Sequence, residues 1–303
     1  MRLVTRSDFD GLVCAVLLKD VEQIDEVIFA HPKDMQDGKI EITDQDIITN
    51  LPYNPKCAMW FDHHASEGER LDLDANFRGL FEVAPSAARV VYKYYNSPKF
   101  KKYDELMVEV DKSDAAQLSK EDVLNPTGWI LLSYVMDPRT GLGKFRDYEI
   151  SNMQLMHNLV DWIRTKTVDE IMAQADVKAR IDRYFAHEKE FEESMKKHSV
   201  IEGNVIVTDL RDVDDAATGN RFKIYAMYPN ANIQVRISYG RDKNTVVCAL
   251  GHSIFNRTSN TNIGSLMAKF GGGGHRGAGT CQLTGSNVAG QIREIIDSCK
   301  KDG

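Results

Sequence analysis

Carboxylates placed directly after short apolar runs constrain this chain more than any other feature of it. Leu3–Thr5 has the make-up of a short strand, and Asp8 and Asp10 follow it. Gly11–Leu18 continues as a nearly all-apolar segment, the composition of a helix buried on every side. Val27–Ala30, Ile40–Thr43 and Ala58–Phe61 are further strand candidates, and Ser86–Tyr95, after Pro85, starts like a helix. Strands alternating with helices predict a mainly parallel sheet with helices on its faces. In such sheets ligands bind beyond the carboxyl ends of the strands. Asp8, Asp10, Asp44 and Asp62-His63-His64 each follow a predicted strand, so residues far apart in sequence are expected to converge there.

That convergence has a chemical consequence. Two like charges about 4 Å apart repel by roughly 4 kcal/mol at an effective dielectric near 20. A cluster of Asp8, Asp10, Asp44 and Asp111 therefore calls for a cation among them. Carboxylate oxygens with imidazole suit a divalent metal such as manganese, which would also activate a water as nucleophile.

The second half reads differently. From Ile150 to Lys197 the chain is highly charged, with apolar residues at helical spacing. After Gly203 strands dominate: Val205–Val207, Phe222–Tyr228, Ile233–Ile237 and Thr245–Leu250, with a turn over Gly240–Asn244. Ile263–Phe270 reads as a helix that runs into Gly271-Gly272-Gly273-Gly274-His275-Arg276, and Asn287–Lys300 as a closing amphipathic helix. Glycines bring backbone N–H groups close to a ligand, and a histidine and an arginine beside them suit an anion. The expected organisation is 1–149, a helical linker 150–197 and a smaller domain 198–303 with a mixed sheet and helices, an α/β fold in two domains.

Net charge and cysteines narrow the partners. At 303 residues and a net charge of -7 the chain has no general basic surface, which argues against long nucleic acid as the ligand. Small phosphorylated substrates remain open. Five scattered cysteines without a CxxC pair fit reduced thiols and a cytoplasmic location. No apolar run approaches the ~20 residues of a membrane span, so no membrane partner is expected.

Phe61-Asp62-His63-His64-Ala65-Ser66 resembles the signature of the DHH phosphoesterase superfamily. Ser7-Asp8-Phe9-Asp10-Gly11 is similar to its first motif, Ile42-Thr43-Asp44 to its second and Val110-Asp111-Lys112-Ser113-Asp114 to its fourth. The glycine run resembles the hallmark of the DHHA1 domain that accompanies it. The resemblance covers essentially the whole chain. It implies a DHH domain followed by a DHHA1 domain and a metal-dependent phosphoesterase using manganese. By it, Asp44 bridges two metal positions, with Asp10, His63 and Asp111 completing one and Asp8 contributing to the other. His64 polarises the scissile phosphate and Asp62 orients an imidazole. Gly272, Gly273, Gly274, His275, Arg276 and Arg257 hold the non-reacting end of a small phosphorylated substrate.

The sequence departs from the family at Arg6, where the first motif normally carries a histidine. A guanidinium has no lone pair to give a metal, so Arg6 is expected to clamp a substrate phosphate and to leave the second metal in doubt. Short oligonucleotides, dinucleotides or 3′-phosphoadenosine 5′-phosphate are the substrates implied. An exopolyphosphatase and a metal-poor nucleotide-binding regulator without turnover are the alternatives, and a homodimer is left open.

Overall fold

The computed structural model describes residues 1–64, 67, 77–240 and 243–303. Ala65 and Ser66 of the DHH motif, and part of the predicted 240–244 turn, lie outside the described residues. The chain divides into two compact units: Met1–Leu118 with Pro126–Arg183, and Ser119–Asn125 with Tyr184–Gly303.

The first unit is built on strands β1 (Arg2–Arg6), β2 (Glu26–Ala30), β3 (Asp46–Thr49), β4 (Met59–Asp62) and β5 (Gly79–Phe81). They pair in the order β2-β1-β3-β4-β5, all in parallel. Helix α1 (Phe9–Val21) is apolar all round because it is covered all round. Its residues from Phe9 to Leu18 are buried among Ala87, Val90, Phe100, Leu106 and Leu159. Gly11 at its start is required, since a Cβ there would collide with the Arg6 carbonyl. The opposite sheet face packs Val4, Ile48 and Trp60 with Ile42 and Leu51. Burying a side chain of this kind contributes about 1.5–3 kcal/mol, so both faces secure the strand ends that carry the site.

One predicted strand is displaced. Ile40–Thr43 forms no strand; the third strand begins at Asp46, and Ile47, Ile48 and Thr49 pair with both β1 and β4. Asp46 and Thr49 are buried with the isoleucines, so the central strand position takes this fully buried run. The half-buried Ile40 and the buried Ile42 only pack beneath the sheet. Asp44 consequently precedes the strand instead of following it.

The second unit holds strands β6 (Ser199–Glu202), β7 (Val205–Asp209), β8 (Ile233–Tyr239), β9 (Val246–His252), β10 (Gly273–His275) and β11 (Ala278–Leu283). They form a mixed sheet in the order β10-β11-β9-β8-β7-β6, in which β7 and β8 are parallel and the other pairs antiparallel. One face buries Val205, Ile233, Val235 and Ile237 against Ile263, Met267, Ile292 and Ile295 of the helices Ile263–Ala268 and Val288–Lys301. Phe222–Tyr228, read as a strand, contains a short helix at Lys223–Met227. Its β-branched and aromatic residues are used for packing: Ile224 and Tyr225 are buried. Tertiary burial overrides strand propensity there.

Candidate metal and phosphate site

Three parallel strands end side by side at one edge. β1 delivers Arg6 and Asp8, β3 delivers Asn50, and β4 delivers Asp62, His63 and His64. Asp8 caps α1, accepting from the Gly11 N–H at 3.0 Å, and also accepts from Asn50 Nδ2 at 3.1 Å. Arg6 Nε lies 2.9 Å from the other oxygen of Asp8. Asp10, early in α1, is buried, and its two oxygens accept from the N–H groups of Ala87 and Ala88 at 2.9 and 2.8 Å. Those amides open helix α2 (Ala87–Tyr95), whose positive end suits a carboxylate. Even so, burial and the neighbouring Asp8 charge push Asp10 up to about 7.

His63 completes a triad. Its Nδ1 is 3.0 Å from the Ala84 carbonyl, which fixes the proton on that nitrogen and turns the Nε2 lone pair inward. Nε2 lies 3.7 Å from Asp10 Oδ2 and 3.2 Å from Asp114 Oδ2, yet has no hydrogen-bond partner among the described residues. Asp114, at the end of helix α3 (Asp104–Asp114), is likewise raised, by desolvation of its carboxylate first and by the Asp10 charge second. The candidate ligand atoms of Asp10, His63 and Asp114 all lie within 4.8 Å of one another. An imidazole lone pair without a donor, beside two carboxylates that resist ionising, is a donor set that fits a divalent cation.

His64 is arranged differently. Its Nδ1 is 2.8 Å from Asp62 Oδ1, and Asp62 is buried. Burial works against a charged His64, but the hydrogen bond and charge of Asp62 outweigh it and hold its pKa above the ordinary value.

Two expected ligands fall elsewhere. Asp44 is exposed at the amino end of the sheet, its carboxylate 3.4 Å from Gln45 Nε2, because the strand it was expected to follow starts after it. Asp111 faces Ser86 and Arg89 and is committed to them: it accepts from Ser86 Oγ at 2.6 Å and from Arg89 Nε and Nη2 at 2.8 and 2.5 Å. That bidentate pair ties α3 to α2. Asp114, which closes the fourth motif but was assigned no ligand role from sequence, and Asn50, which was passed over, stand at the cluster instead. The Ile47-Ile48-Thr49 run was the signal for Asn50, since a β-branched triplet ends on it.

In the second unit β10 is itself part of the glycine run and forms the sheet edge, with Gly273, Gly274, His275 and Arg276 exposed. A Cβ on Gly272 would strike the Thr280 carbonyl, and one on Gly274, at φ 152°, the Ala278 carbonyl. His275 Nδ1 accepts from the Gly277 N–H at 3.1 Å, and His252 Nε2 is 2.9 Å from the Thr261 carbonyl. Arg257 is exposed and donates from Nε to the Ile254 carbonyl at 3.1 Å. Arg236 lies on the sheet face away from the core, and burial lowers its pKa.

No protein-family model matches the chain, and neither does any curated protein. Among solved structures, a pGpG-specific phosphodiesterase, PggH, from Vibrio cholerae is 46% identical; the match covers 100% of this chain and 99% of that one, with a TM-score of 0.84. The DHH domain of a protein assigned to a family of ribosomal proteins matches at TM-score 0.57 and 14% identity, over 99% of this chain and 85% of that one. An exopolyphosphatase-related protein from Bacteroides fragilis matches at TM-score 0.52 and 11% identity, over 99% and 91%. The last two show the fold alone. The first, with the parallel and mixed sheets and the cluster at Asp62-His63-His64, shows the family: the chain belongs to the DHH/DHHA1 phosphoesterase superfamily and is a phosphoric ester hydrolase.

Proposed function

We propose that the chain is a manganese-dependent phosphodiesterase that cleaves a linear dinucleotide, pGpG or a close analogue. The carrying observation is the Asp10–His63–Asp114 cluster in a chain 46% identical, end to end, to a pGpG-specific phosphodiesterase. Asp10, His63 and Asp114 hold the cation, which when bound supplies a polarised phosphate and an activated water. Arg6, oriented by Asp8, faces the phosphate with its remaining N–H groups, as a guanidinium does well. His64, whose pKa Asp62 holds above the ordinary value, donates to the scissile phosphate or to its leaving oxygen. Gly272–Gly274, His275, Arg276 and Arg257 take the part of the substrate remote from the reaction, through backbone N–H groups and cations. A cytoplasmic location and a homodimer belong to the same reading.

The test is chromatographic. Purified protein with manganese should convert pGpG to GMP, and inorganic polyphosphate should release no phosphate. Phosphate released from polyphosphate in a chain-length-dependent way, with pGpG untouched, would replace this reading with the exopolyphosphatase one.

A further inference from the structure

Asn50 is 2% exposed, and its Oδ1 is buried with no hydrogen-bond partner among the described residues. An amide oxygen in that state has lost water and received nothing in return, so it stands only where something else fills the gap. Its orientation is not arbitrary. Nδ2 is 3.1 Å from Asp8 Oδ1, and a carboxylate paired with Arg6 only accepts, so the nitrogen faces Asp8 and the oxygen is the free atom. The backbone holds it in place: Asn50 N–H donates to the Phe61 carbonyl at 3.0 Å, and φ is 54°, a left-handed conformation that asparagine tolerates. β3 lies between β1 and β4, so this residue emerges between Asp8 on one side and Asp62-His63 on the other. Two further buried atoms without a partner among the described residues, Asp62 Oδ2 and His63 Nε2, stand at and just past the end of the neighbouring strand β4, and both residues belong to candidate metal-binding groups.

We infer that this is a one-cation centre in which Asn50 Oδ1 is a neutral ligand beside Asp10, His63 and Asp114, while Arg6 takes the place of a second cation. The inference rests on the metal-dependent reading above and concerns its stoichiometry and its fourth protein ligand. The charges agree. Asp10 and Asp114 bring two negative charges, which one divalent cation balances. Asp8 is balanced by Arg6, and His63 and Asn50 are neutral. A second divalent cation would find, besides these residues, Asp62 with one buried oxygen without a partner among the described residues, but that carboxylate is already held by His64 through its other oxygen at 2.8 Å, and the cation would sit against the Arg6 guanidinium. Oxygen and imidazole donors in this number also suit a site that keeps positions open for water and substrate.

An ordinary role for Asn50 is to accommodate the left-handed backbone, and glycine separates the two roles. Asn50→Gly keeps the conformation and removes the amide. Manganese binding to the full chain, measured without substrate by equilibrium dialysis and elemental analysis, should give one ion per chain. The bound ion should show the six-line paramagnetic resonance of uncoupled manganese. Asn50→Gly should fold, by circular dichroism and thermal melting, and bind manganese about ten- to a hundredfold more weakly. Arg6→His with Asn50→Asp, which supplies an imidazole and a carboxylate, should move the stoichiometry toward two. Two ions per wild-type chain, an exchange-coupled signal, or an unchanged affinity in folded Asn50→Gly would each overturn the inference. A protein that binds one ion in this way but leaves pGpG intact keeps the inference and removes the phosphodiesterase reading. One that cleaves pGpG with two ions per chain does the reverse.

Discussion

The cluster at the end of the parallel sheet and the glycine segment at the edge of the mixed sheet solve opposite problems. At the first, Asp10 and Asp62 are buried, His63 keeps a buried nitrogen without a partner among the described residues, and chemistry depends on which side-chain atoms meet. At the second, Gly273 to Arg276 are exposed and what is presented is backbone, shaped by positions that admit no Cβ. A side-chain site concentrates charge and is destabilised by its own carboxylates, so it responds to metal and to pH. A backbone site carries little charge of its own and responds to steric change.

The largest expected effect breaks the first region. Asp114→Asn removes a proposed ligand and should lower turnover by about a thousandfold, in line with losing a metal's contribution to transition-state charge. Asp111→Asn, three residues away, should leave manganese binding intact and cost about 1–2 kcal/mol of stability through the weakened pair with Arg89, which is partly exposed. Metal titration and chemical denaturation of the two variants check this; equal loss of metal in both would return Asp111 to the ligand set.

Next comes pH. Asp10 is raised to about 7 and Asp114 is raised with it. A carboxyl whose folded pKa lies above its unfolded one stabilises the fold fully below about pH 4 and loses that contribution as pH rises through about 7. Metal-free protein should therefore melt several degrees lower at pH 8 than at pH 5 on account of these groups. In the proposed reading manganese binds the ionised pair, so its affinity should rise with pH, by up to about tenfold per unit per proton displaced below pH 7. Melting curves in a chelator and in saturating manganese across this range read both trends, and a metal-free melting temperature that climbs from pH 5 to pH 8 would speak against two carboxyls held protonated in the metal-free fold.

The smallest effect belongs to the edge strand. Gly274→Ala should displace β10 from β11 at a local cost of about 1–3 kcal/mol. It should raise KM several-fold while kcat changes little, because in the proposed reading the segment holds the part of the substrate away from the reaction. Steady-state kinetics on pGpG separates the two constants; a fall in kcat with KM unchanged would place the loop in the chemistry.

Much of this architecture was legible in the order of residues. Strand, acid and helix alternate so regularly through the first 115 residues that a parallel sheet with its ligands at one end follows directly. Asp62-His63-His64 and the glycine run needed no structure to be noticed. Strand register was less legible: Ile40–Thr43 and Ile47–Thr49 are both β-branched runs, and only pairing with β1 and β4 chooses between them. That choice moved Asp44 to the far end of the sheet and brought in Asn50. Helix phase decided the rest. Asp111 and Asp114 lie three residues apart on α3, close to one turn, and their order relative to Ser86, Arg89 and His63 made one a tie between helices and the other a candidate ligand. The sequence by itself determined the family, the α/β class and the kinds of donor atom present. Tertiary structure decided which donors meet, because a shift of a few residues in a strand or one turn in a helix changes no composition and no motif, but moves a carboxylate by several ångströms.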